Sequence, residues 1–368
     1  MNFNLIRVVK RSHIEKYKHF LYRIIAIILA FALTSIIILS MGHNPFEAYK
    51  NLLFDPLATP LKMVQTIKLA FTLIIISLGI SLAFKMKFWN IGAEGQIIFG
   101  AIGATYFALN FSYLPQYILL PIMFIASFIL GGLYGLIPAF FKAKFGTNET
   151  LFTLMMNYIA FNIVLFLQSG PWKDPNSVRS EIAPLVANSR IPSLFSTNPW
   201  AKLNNGWMIA ILLVILVYIY MNHTKHGYEI SVVGESVNTA RYAGMNVGKI
   251  IMRTMFISAG ICGIAGFVQV AGNLETLSNQ VAGGMGFTAI ITTWLSQLNA
   301  FILVIVSILF AVMKKGGQLV NMPSAASELI QGIILLCILG CEFFLNYKVI
   351  FSWSPKKKFL EDKEDKTE

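Results

Sequence analysis

Apolar blocks of about 15 to 25 residues alternate with short polar segments along almost the whole chain. A block of this length suits a transmembrane helix, which needs about 20 apolar residues to cross a bilayer. Two of the blocks are short, so one of them is expected to be broken or re-entrant. The pattern predicts an all-α membrane protein, a polytopic helical bundle of about ten transmembrane helices, some short or broken. The candidate spans lie near residues 21–41, 64–84, 95–112, 116–141, 150–168, 207–222, 251–271, 284–298, 300–313 and 326–346.

Composition indicates the same class of protein. Of the 368 residues, 56% are apolar and 12% are charged, and the mean hydropathy is +0.66. Soluble proteins average about 45 to 50% apolar and about 25% charged residues, so an ordinary soluble protein is excluded. We expect one membrane domain over residues 23–346, with a basic N-terminal tail at 1–22 and a charged tail at 347–368, of which KKKFLEDKEDKTE at 356–368 is expected to be disordered. The first span is too long for a typical cleaved signal sequence and is expected to be retained.

The basic residues predict the orientation of the bundle. Most of the 29 lysines and arginines fall in the two tails and in the loops on the same side. Because cytoplasmic loops carry an excess of these residues, both termini are predicted to be cytoplasmic. Lys314 and Lys315 are an exception, since strict alternation of the spans places them outside. Two segments between spans are long: an irregular, proline-rich external loop at 169–206 and a cytoplasmic loop at 223–249, which is predicted to be amphipathic helix.

Several kinds of chemistry are excluded by the motifs that the chain lacks. The segment 244–249, GMNVGK, has one residue too few for a phosphate-binding loop and is followed by Ile, so we expect no ATPase site in this chain. No histidine lies within a predicted span, which argues against a hydrolase in the bilayer. Cys262, Cys337 and Cys341 all fall in apolar segments, so neither a disulfide framework nor a zinc cluster is expected. We expect no cofactor in this chain and, despite a net charge of +12, no nucleic-acid partner.

Polar residues at the edges of the spans are the remaining candidates for function. Glu94 lies between two apolar runs, in a stretch with two glycines where a helix is expected to stop and restart, with the free amides of the new helix facing a cavity. An ionisable residue at membrane depth is by default a functional candidate. The alternative is that Glu94 sits at the cytoplasmic interface and caps the next helix. Glu149 lies at the start of another span, where it either compensates the charge of the helix N-terminus or lines a pore. Glu328 lies early in the last span.

Three segments carry a resemblance to a known family. In order, they are NIGAEGQ at 90–96, MMNYIA at 155–160 followed by GPWKDP at 170–175, and GESVNTARYAG at 234–244. Together they resemble the membrane permease subunits of bacterial ABC importers for nucleosides and simple sugars, within a wider family of ribose and branched-chain amino-acid permeases. The resemblance covers roughly residues 20–346. It departs from the family at Thr288, where an acidic residue is common, and at Ser296-Gln297, where Gly-Arg or Gly-Lys is common.

The resemblance implies a role and a set of partners. Such permeases lie in the cytoplasmic membrane and work with a second permease subunit, cytoplasmic ABC ATPase subunits that bind ATP and Mg, and an extracytoplasmic substrate-binding protein. The cytoplasmic loop then matches the helix that docks on the ATPase, at Glu235, Ala240, Arg241, Tyr242 and Gly244, with Ala240 and Tyr242 presented to the partner. A transport path needs only weak binding, so few polar anchors are expected. The candidates are Asn90, Glu94, Gln96 and Asn157.

Three alternatives to nucleoside import by alternating access remain. A simple-sugar permease of the same family would carry ribose or a related sugar. An ion-coupled secondary transporter would need carboxylates within the spans, and few are present. A membrane scaffold without transport would not need irregular polar segments between half-spans.

Overall fold

A computed structural model describes most of the chain, and its described residues fall into two compact units. One unit comes from the two ends of the chain, up to residue 45 and from residue 329, and the other covers 46–328. The described residues are 6–10, 16–40, 42, 44–193, 200–319, 326, 329–334, 336–337, 340–341 and 347–351. Glu328 and about half of the predicted last span at 326–346 therefore lie outside the described residues.

The unit formed by the chain ends contains a helix, α1 (Lys16–Ser40), and two strands, β1 (Ile6–Lys10) and β2 (Tyr347–Phe351). The strands pair antiparallel, with Ile6 opposite Phe351 and Lys10 opposite Tyr347. The first five residues of the predicted charged tail, 347–351, thus form a strand, while the segment expected to be disordered, 356–368, lies outside the described residues. Both strands are rich in β-branched residues, but their pairing joins opposite ends of the chain, which no local pattern reveals.

Eleven helices belong to the described residues of the second unit, including a short π-helical extension of α10 at Gln269–Leu274. The α5–α6 and α7–α8 connections are short, whereas about 35 residues separate α6 from α7. The helices are α2 (Pro45–Phe54), α3 (Pro60–Lys85), α4 (Ala93–Asn110), α5 (Gln116–Phe145), α6 (Glu149–Ser169), α7 (Gly206–His223), α8 (Lys225–Glu235), α9 (Val237–Tyr242), α10 (Val247–Val268), α11 (Met285–Leu295) and α12 (Ala300–Leu319).

The described helices make the chain a polytopic helical membrane protein. Six of them are long and apolar enough to cross a membrane, and a seventh span results if Ile28–Ser40 and Pro45–Leu57 act together. The predicted count of about ten is thus not confirmed. Two of the predicted spans form helices that are not among these six. Helix α4 has 18 residues, but its first turn contains the polar residues Glu94 and Gln96. Helix α11 has only 11 residues, about 16 Å. The expected short segment at 284–298 is confirmed by α11.

Helix α10 is the most buried of the long helices, and small residues let its neighbours approach closely. A Cβ at Gly263 would lie 2.3 Å from the carbonyl oxygen of Ser127 in α5, and one at Gly100 in α4 would lie 2.2 Å from that of Gly263. No larger residue fits at such a crossing. The backbones of α4, α5 and α10 therefore pack in direct contact and form a rigid wall.

The basic pair in α12 lies within a helix and not in a loop. Helix α12 continues to Leu319, six residues beyond the predicted end of its span. The Lys314 side chain is 7% exposed, and its Nζ donates to the carbonyl oxygen of Gly283 at 2.7 Å. The two lysines that disagree with the charge bias therefore lie within α12, where a backbone acceptor holds Lys314 inside the protein.

Candidate functional site

The chain between α3 and α4 turns back into the bundle. After α3 ends at Lys85, the linker 86–92 is held by α6: Ile91 donates its N–H to Thr153 Oγ1 at 3.1 Å, and its carbonyl accepts from Asn157 Nδ2 at 2.9 Å. Asn157 Oδ1 also accepts from the N–H of Gly95 at 2.9 Å. Asn157 lies eight residues, about 12 Å, along α6, so α4 begins well inside the bundle. The predicted stop and restart of the helix is confirmed.

Asn90 and Gln96 are buried and bonded to each other. Each side-chain amide donates to the other's carbonyl oxygen at 3.0 Å, and Asn90 Oδ1 also accepts from the N–H of Gly92 at 3.1 Å. The prediction that the first amides of α4 face a cavity is wrong for Gly92 and Gly95. Their N–H groups donate to the side-chain oxygens of Asn90 and Asn157 instead. A role of Asn90 and Gln96 in the substrate pathway stays a prediction.

Glu94 joins α4 to the short helix α11. Its two carboxylate oxygens accept from the N–H groups of Gly284 and Gly286, both at 2.6 Å. Gly284 has a φ of 73° and Gly286 leaves no room for a side chain, since a Cβ there would lie 2.5 Å from Glu94 Oε2. A carboxylate at a helix N-terminus is stabilised by the helix dipole and by charge-assisted hydrogen bonds. The helix that Glu94 caps is thus α11, which neither interpretation of the sequence foresaw.

A cavity of about 380 Å³ opens beside Glu94, between α4, α6 and the segment 279–287. From α6, four residues at positions i, i+3, i+4 and i+7 share the face that lines it. Three aromatic side chains form much of its wall. The lining residues are Glu94, Ile98, Leu154, Asn157, Tyr158, Phe161, Asn279, Gln280, Ala282, Gly283, Gly284 and Phe287. Two of the four predicted pathway residues, Glu94 and Asn157, therefore line this cavity.

Glu149 lies at the start of α6 in an ion pair. Its carboxylate is 2.7 Å from Lys142 Nζ near the end of α5, and the residue is 8% exposed. Asn148 caps the same helix by accepting from the N–H groups of Thr150 and Leu151. Of the two interpretations of Glu149, charge compensation at a helix N-terminus fits this arrangement.

The predicted coupling loop forms two short helices. Thr224 caps α8 and Ser236 caps α9, each hydroxyl accepting from a backbone N–H three residues on at 3.2 Å. Helix α9 ends at Tyr242, and two residues further on Gly244 has a φ of 73°. The N–H of Gly244 bonds to the carbonyl of Arg241 and that of Met245 to the carbonyl of Ala240, the pairing of a Schellman motif. These caps give the segment a defined shape.

The exposed face of α9 is not quite the predicted one. Tyr242 is 93% exposed and Arg241 and Glu235 are also on the surface, whereas Ala240 is fully buried. The prediction that Ala240 is presented to a partner is wrong, because it faces the apolar cluster that holds α9 against the bundle. That cluster consists of Ala83, Met86, Phe88, Ala139, Ile230, Val233, Ala240, Val247, Ile250 and Met255.

An ion pair ties α8 to α10. Arg253 Nη2 donates to Glu229 Oε2 at 2.8 Å, and the Glu229 side chain is 14% exposed. The hydrogen bond from Arg253, helped by His226, holds the pKa of Glu229 below its ordinary value. The segment formed by α8 and α9 is thus fixed to the most buried helix of the bundle.

A polar network lies at the other end of α10, where sequence reasoning found nothing. Asn204 Nδ2 donates to the Gly272 carbonyl at 2.6 Å and to Asn273 Oδ1 at 3.0 Å, and Asn273 in turn donates to Gln269 Oε1 and to Thr72 Oγ1. A π-helical turn of this kind often marks a functional position. The signal in the sequence is the pair Gln269 and Asn273, polar residues near the end of an apolar run.

No metal centre is found in the part of the chain that the structure describes, where no three His, Cys, Asp or Glu side chains lie close enough to hold an ion.

Known proteins similar to this chain are permeases. A guanosine ABC transporter permease of Bacillus subtilis, NupP, is 31% identical over 89% of this chain and 94% of its own length. A nucleoside ABC transporter permease of Lactococcus lactis, NupB, is 27% identical over 95% of this chain and 97% of its own. A glucose ABC transporter permease of Haloferax volcanii, TsgB13, is 29% identical over 89% and 88%. No solved structure matches the chain.

The family match covers most of the second unit. The family described as the branched-chain amino acid transport system / permease component matches residues 62–339, which include α3 to α12, the Glu94 cavity and the segment formed by α8 and α9. The chain belongs to this family and is the permease component of an ABC importer.

Proposed function

We propose that this permease moves nucleosides across the cytoplasmic membrane of a bacterium by alternating access, with both termini in the cytoplasm. The observation that carries the proposal is the cavity at Glu94, where two helices begin inside the bundle. Broken helices that meet in a bundle mark binding sites in many transporters, because the irregular backbone and the polar side chains at the breaks lie at membrane depth. The two relatives named for guanosine and nucleosides support the substrate class.

The energy for transport comes from partner subunits. We expect an ABC ATPase to bind ATP and Mg, a second permease to complete the path, and a substrate-binding protein to deliver the nucleoside from outside; this chain itself hydrolyses no ATP. The exposed face of α9, with Arg241 and Tyr242, is the surface we assign to the ATPase. Glu235 and Gly244 flank that face, and the caps of α9 keep it in one orientation.

Movement of α9 reaches the bundle through two contacts. Ala240 belongs to the same buried cluster as Val233 and Ile250, so we expect α9 and the start of α10 to move as one body. The Glu229–Arg253 ion pair joins α8 to α10 in the same way. When the ATPase subunits close, we expect α4, α5 and α10 to shift together against α6, and so to change access to the cavity that lies between α4, which carries Glu94, and α6.

A sugar is the second candidate substrate within the same function. The Haloferax volcanii relative is named for glucose, and its identity to this chain is similar to that of the two nucleoside permeases. A sugar permease would use the same partners and the same coupling surface, so only the substrate separates the two proposals.

The test is uptake of radiolabelled purine and pyrimidine nucleosides in cells with and without this chain, with ribose as competitor and ATP depletion as a control. We expect the chain to be needed for ATP-dependent nucleoside uptake that excess ribose leaves unchanged. Competition by ribose would indicate that the substrate is a free sugar and not a nucleoside. Uptake that survives ATP depletion would contradict an ATP-driven importer.

A further inference from the structure

The Glu94 cavity has walls of unequal chemistry. Tyr158, Phe161 and Phe287 are 61%, 37% and 40% exposed, and within the described residues none of these rings stacks on another aromatic ring. Two amide side chains, Asn279 and Gln280, stand on the segment opposite α6, and neither is hydrogen-bonded in the described part of the chain. The cavity therefore combines aromatic surface with a small number of polar groups.

The charges around the cavity favour a neutral ligand. Glu94 supplies a carboxylate whose oxygens already hold the N-terminus of α11. Lys314 contributes a positive charge close by, through its bond to the Gly283 carbonyl. One charge of each sign leaves little net attraction for an anion, and a phosphate that approached Glu94 would meet a carboxylate directly. A nucleotide is therefore a poor ligand.

From these walls we propose that the cavity contacts the base of a nucleoside through Tyr158, Phe161 and Phe287 and its ribose hydroxyls through Asn279 and Gln280. This inference rests on the proposed function and names the substrate-contact site within it. A base has an apolar face that stacks on aromatic side chains, and its ribose needs only a few polar partners. A free sugar also packs a C–H face on aromatic rings, but it carries a hydroxyl group on almost every carbon, and the few polar side chains of this wall would leave several of them without hydrogen bonds. A volume near 380 Å³ is also in the range of small-molecule sites.

The first test uses the complete importer, with its ATPase, second permease and binding protein, in proteoliposomes. Phe161→Leu and Phe287→Leu each remove an aromatic face and keep an apolar side chain. The matched control is Phe166→Leu, which alters a 68% exposed residue of α6 that does not line the cavity. We expect guanosine uptake to fall roughly tenfold in the two cavity variants and to stay near wild type in the control, with ATPase activity retained in all three.

The outcomes separate the inference from the proposed function. If the wild-type importer shows no ATP-dependent guanosine uptake, the proposed function fails. If the wild type imports guanosine and the cavity variants match the Phe166→Leu control, the function stands and the inference is overturned, with the three rings facing lipid or the second permease. Thermal unfolding of each purified complex shows whether a lost activity reflects a misfolded subunit.

A second measurement does not depend on the variants. The wild-type importer is irradiated with 8-azidoguanosine, and the labelled peptides are identified by mass spectrometry. We expect adducts within 154–161 or 279–287, which excess guanosine suppresses and excess ribose does not. Labelling of this chain only outside those segments would overturn the inference, and suppression by ribose would assign the cavity to a free sugar.

Discussion

Asn90 and Gln96 pair their buried side-chain amides with each other, each donating at 3.0 Å to the other's carbonyl oxygen. This pair is part of the set of hydrogen bonds that fix the start of α4 inside the bundle, since the Asn90 side chain also accepts from the N–H of Gly92. Glu94 is the second residue of α4 and lies between Asn90 and Gln96 in the sequence. The two amides therefore fix the position of the carboxylate at the cavity.

The first substitution in this pair should lower the free energy of unfolding more than the second substitution does once the first is present. Gln96→Leu leaves the buried Asn90 amide without its partner, at a cost of about 1 to 3 kcal/mol. In Asn90→Leu with Gln96→Leu, the second substitution should add less than it costs alone, because neither side-chain amide is left without its partner. The N–H of Gly92 loses its acceptor in Asn90→Leu and in the double variant alike, so this loss cancels in the comparison. Thermal unfolding of the purified permease in detergent checks this. Strictly additive losses would show that the two side chains do not depend on each other.

Glu94 is expected to be needed for transport through its charge and its two acceptors. Glu94→Gln keeps the size of the side chain but turns an NH₂ group towards an N–H of Gly284 or Gly286, so α11 loses one hydrogen bond. We expect nucleoside uptake to fall at least tenfold, with the complex still assembled, and Glu94→Ala to do the same. Uptake at the wild-type rate in Glu94→Ala would remove Glu94 from the mechanism.

Tyr242 should decide association with the ATPase. Tyr242→Asp places a charge at a position that is 93% exposed, so the fold of α9 should persist. We expect the ATPase to be lost when the permease is purified from membranes. The control is Tyr113→Asp, which changes a 74% exposed tyrosine in the α4–α5 connection, away from α9. An ATPase that still copurifies with Tyr242→Asp would refute the assignment of the coupling surface.

The Glu229–Arg253 ion pair should make stability depend on pH. Because the folded protein lowers the pKa of Glu229 from 4.5, the pair stabilises the fold above that value and loses its effect as the pH falls through the lowered pKa. Glu229→Gln should reduce the free energy of unfolding by about 1 to 3 kcal/mol at pH 7. The difference from wild type should shrink below about pH 4. Unfolding temperatures measured across this range test the trend, and a difference that grows in acid would contradict it.

Local pattern predicted the features that local sequence determines. The stop before α4 follows from glycines and polar residues at 90–96, and the shortness of α11 from the length of its apolar run. The exposed Tyr242 and the positive φ of Gly244 also agree with a short capped helix.

Contacts between distant residues could not be predicted in this way. Glu94 finds its partners 190 and 192 positions along the chain, so a pattern around residue 94 shows a carboxylate without showing what it holds. Ala240 was placed on the wrong face of α9 because a helix of six residues is too short for a clear apolar stripe. Lys314 lies within an apolar helix with its ammonium group donating a hydrogen bond to the carbonyl oxygen of Gly283, 31 residues earlier in the chain.

ATP-driven nucleoside import is tested most directly by guanosine import into proteoliposomes that contain the complete importer, with ATP supplied on the ATPase side. We expect import that requires hydrolysable ATP, persists when sodium and proton gradients are collapsed, and disappears when this chain carries Tyr242→Asp. Import that proceeds without ATP and follows an ion gradient would contradict ATP-driven import and identify the chain as a secondary transporter.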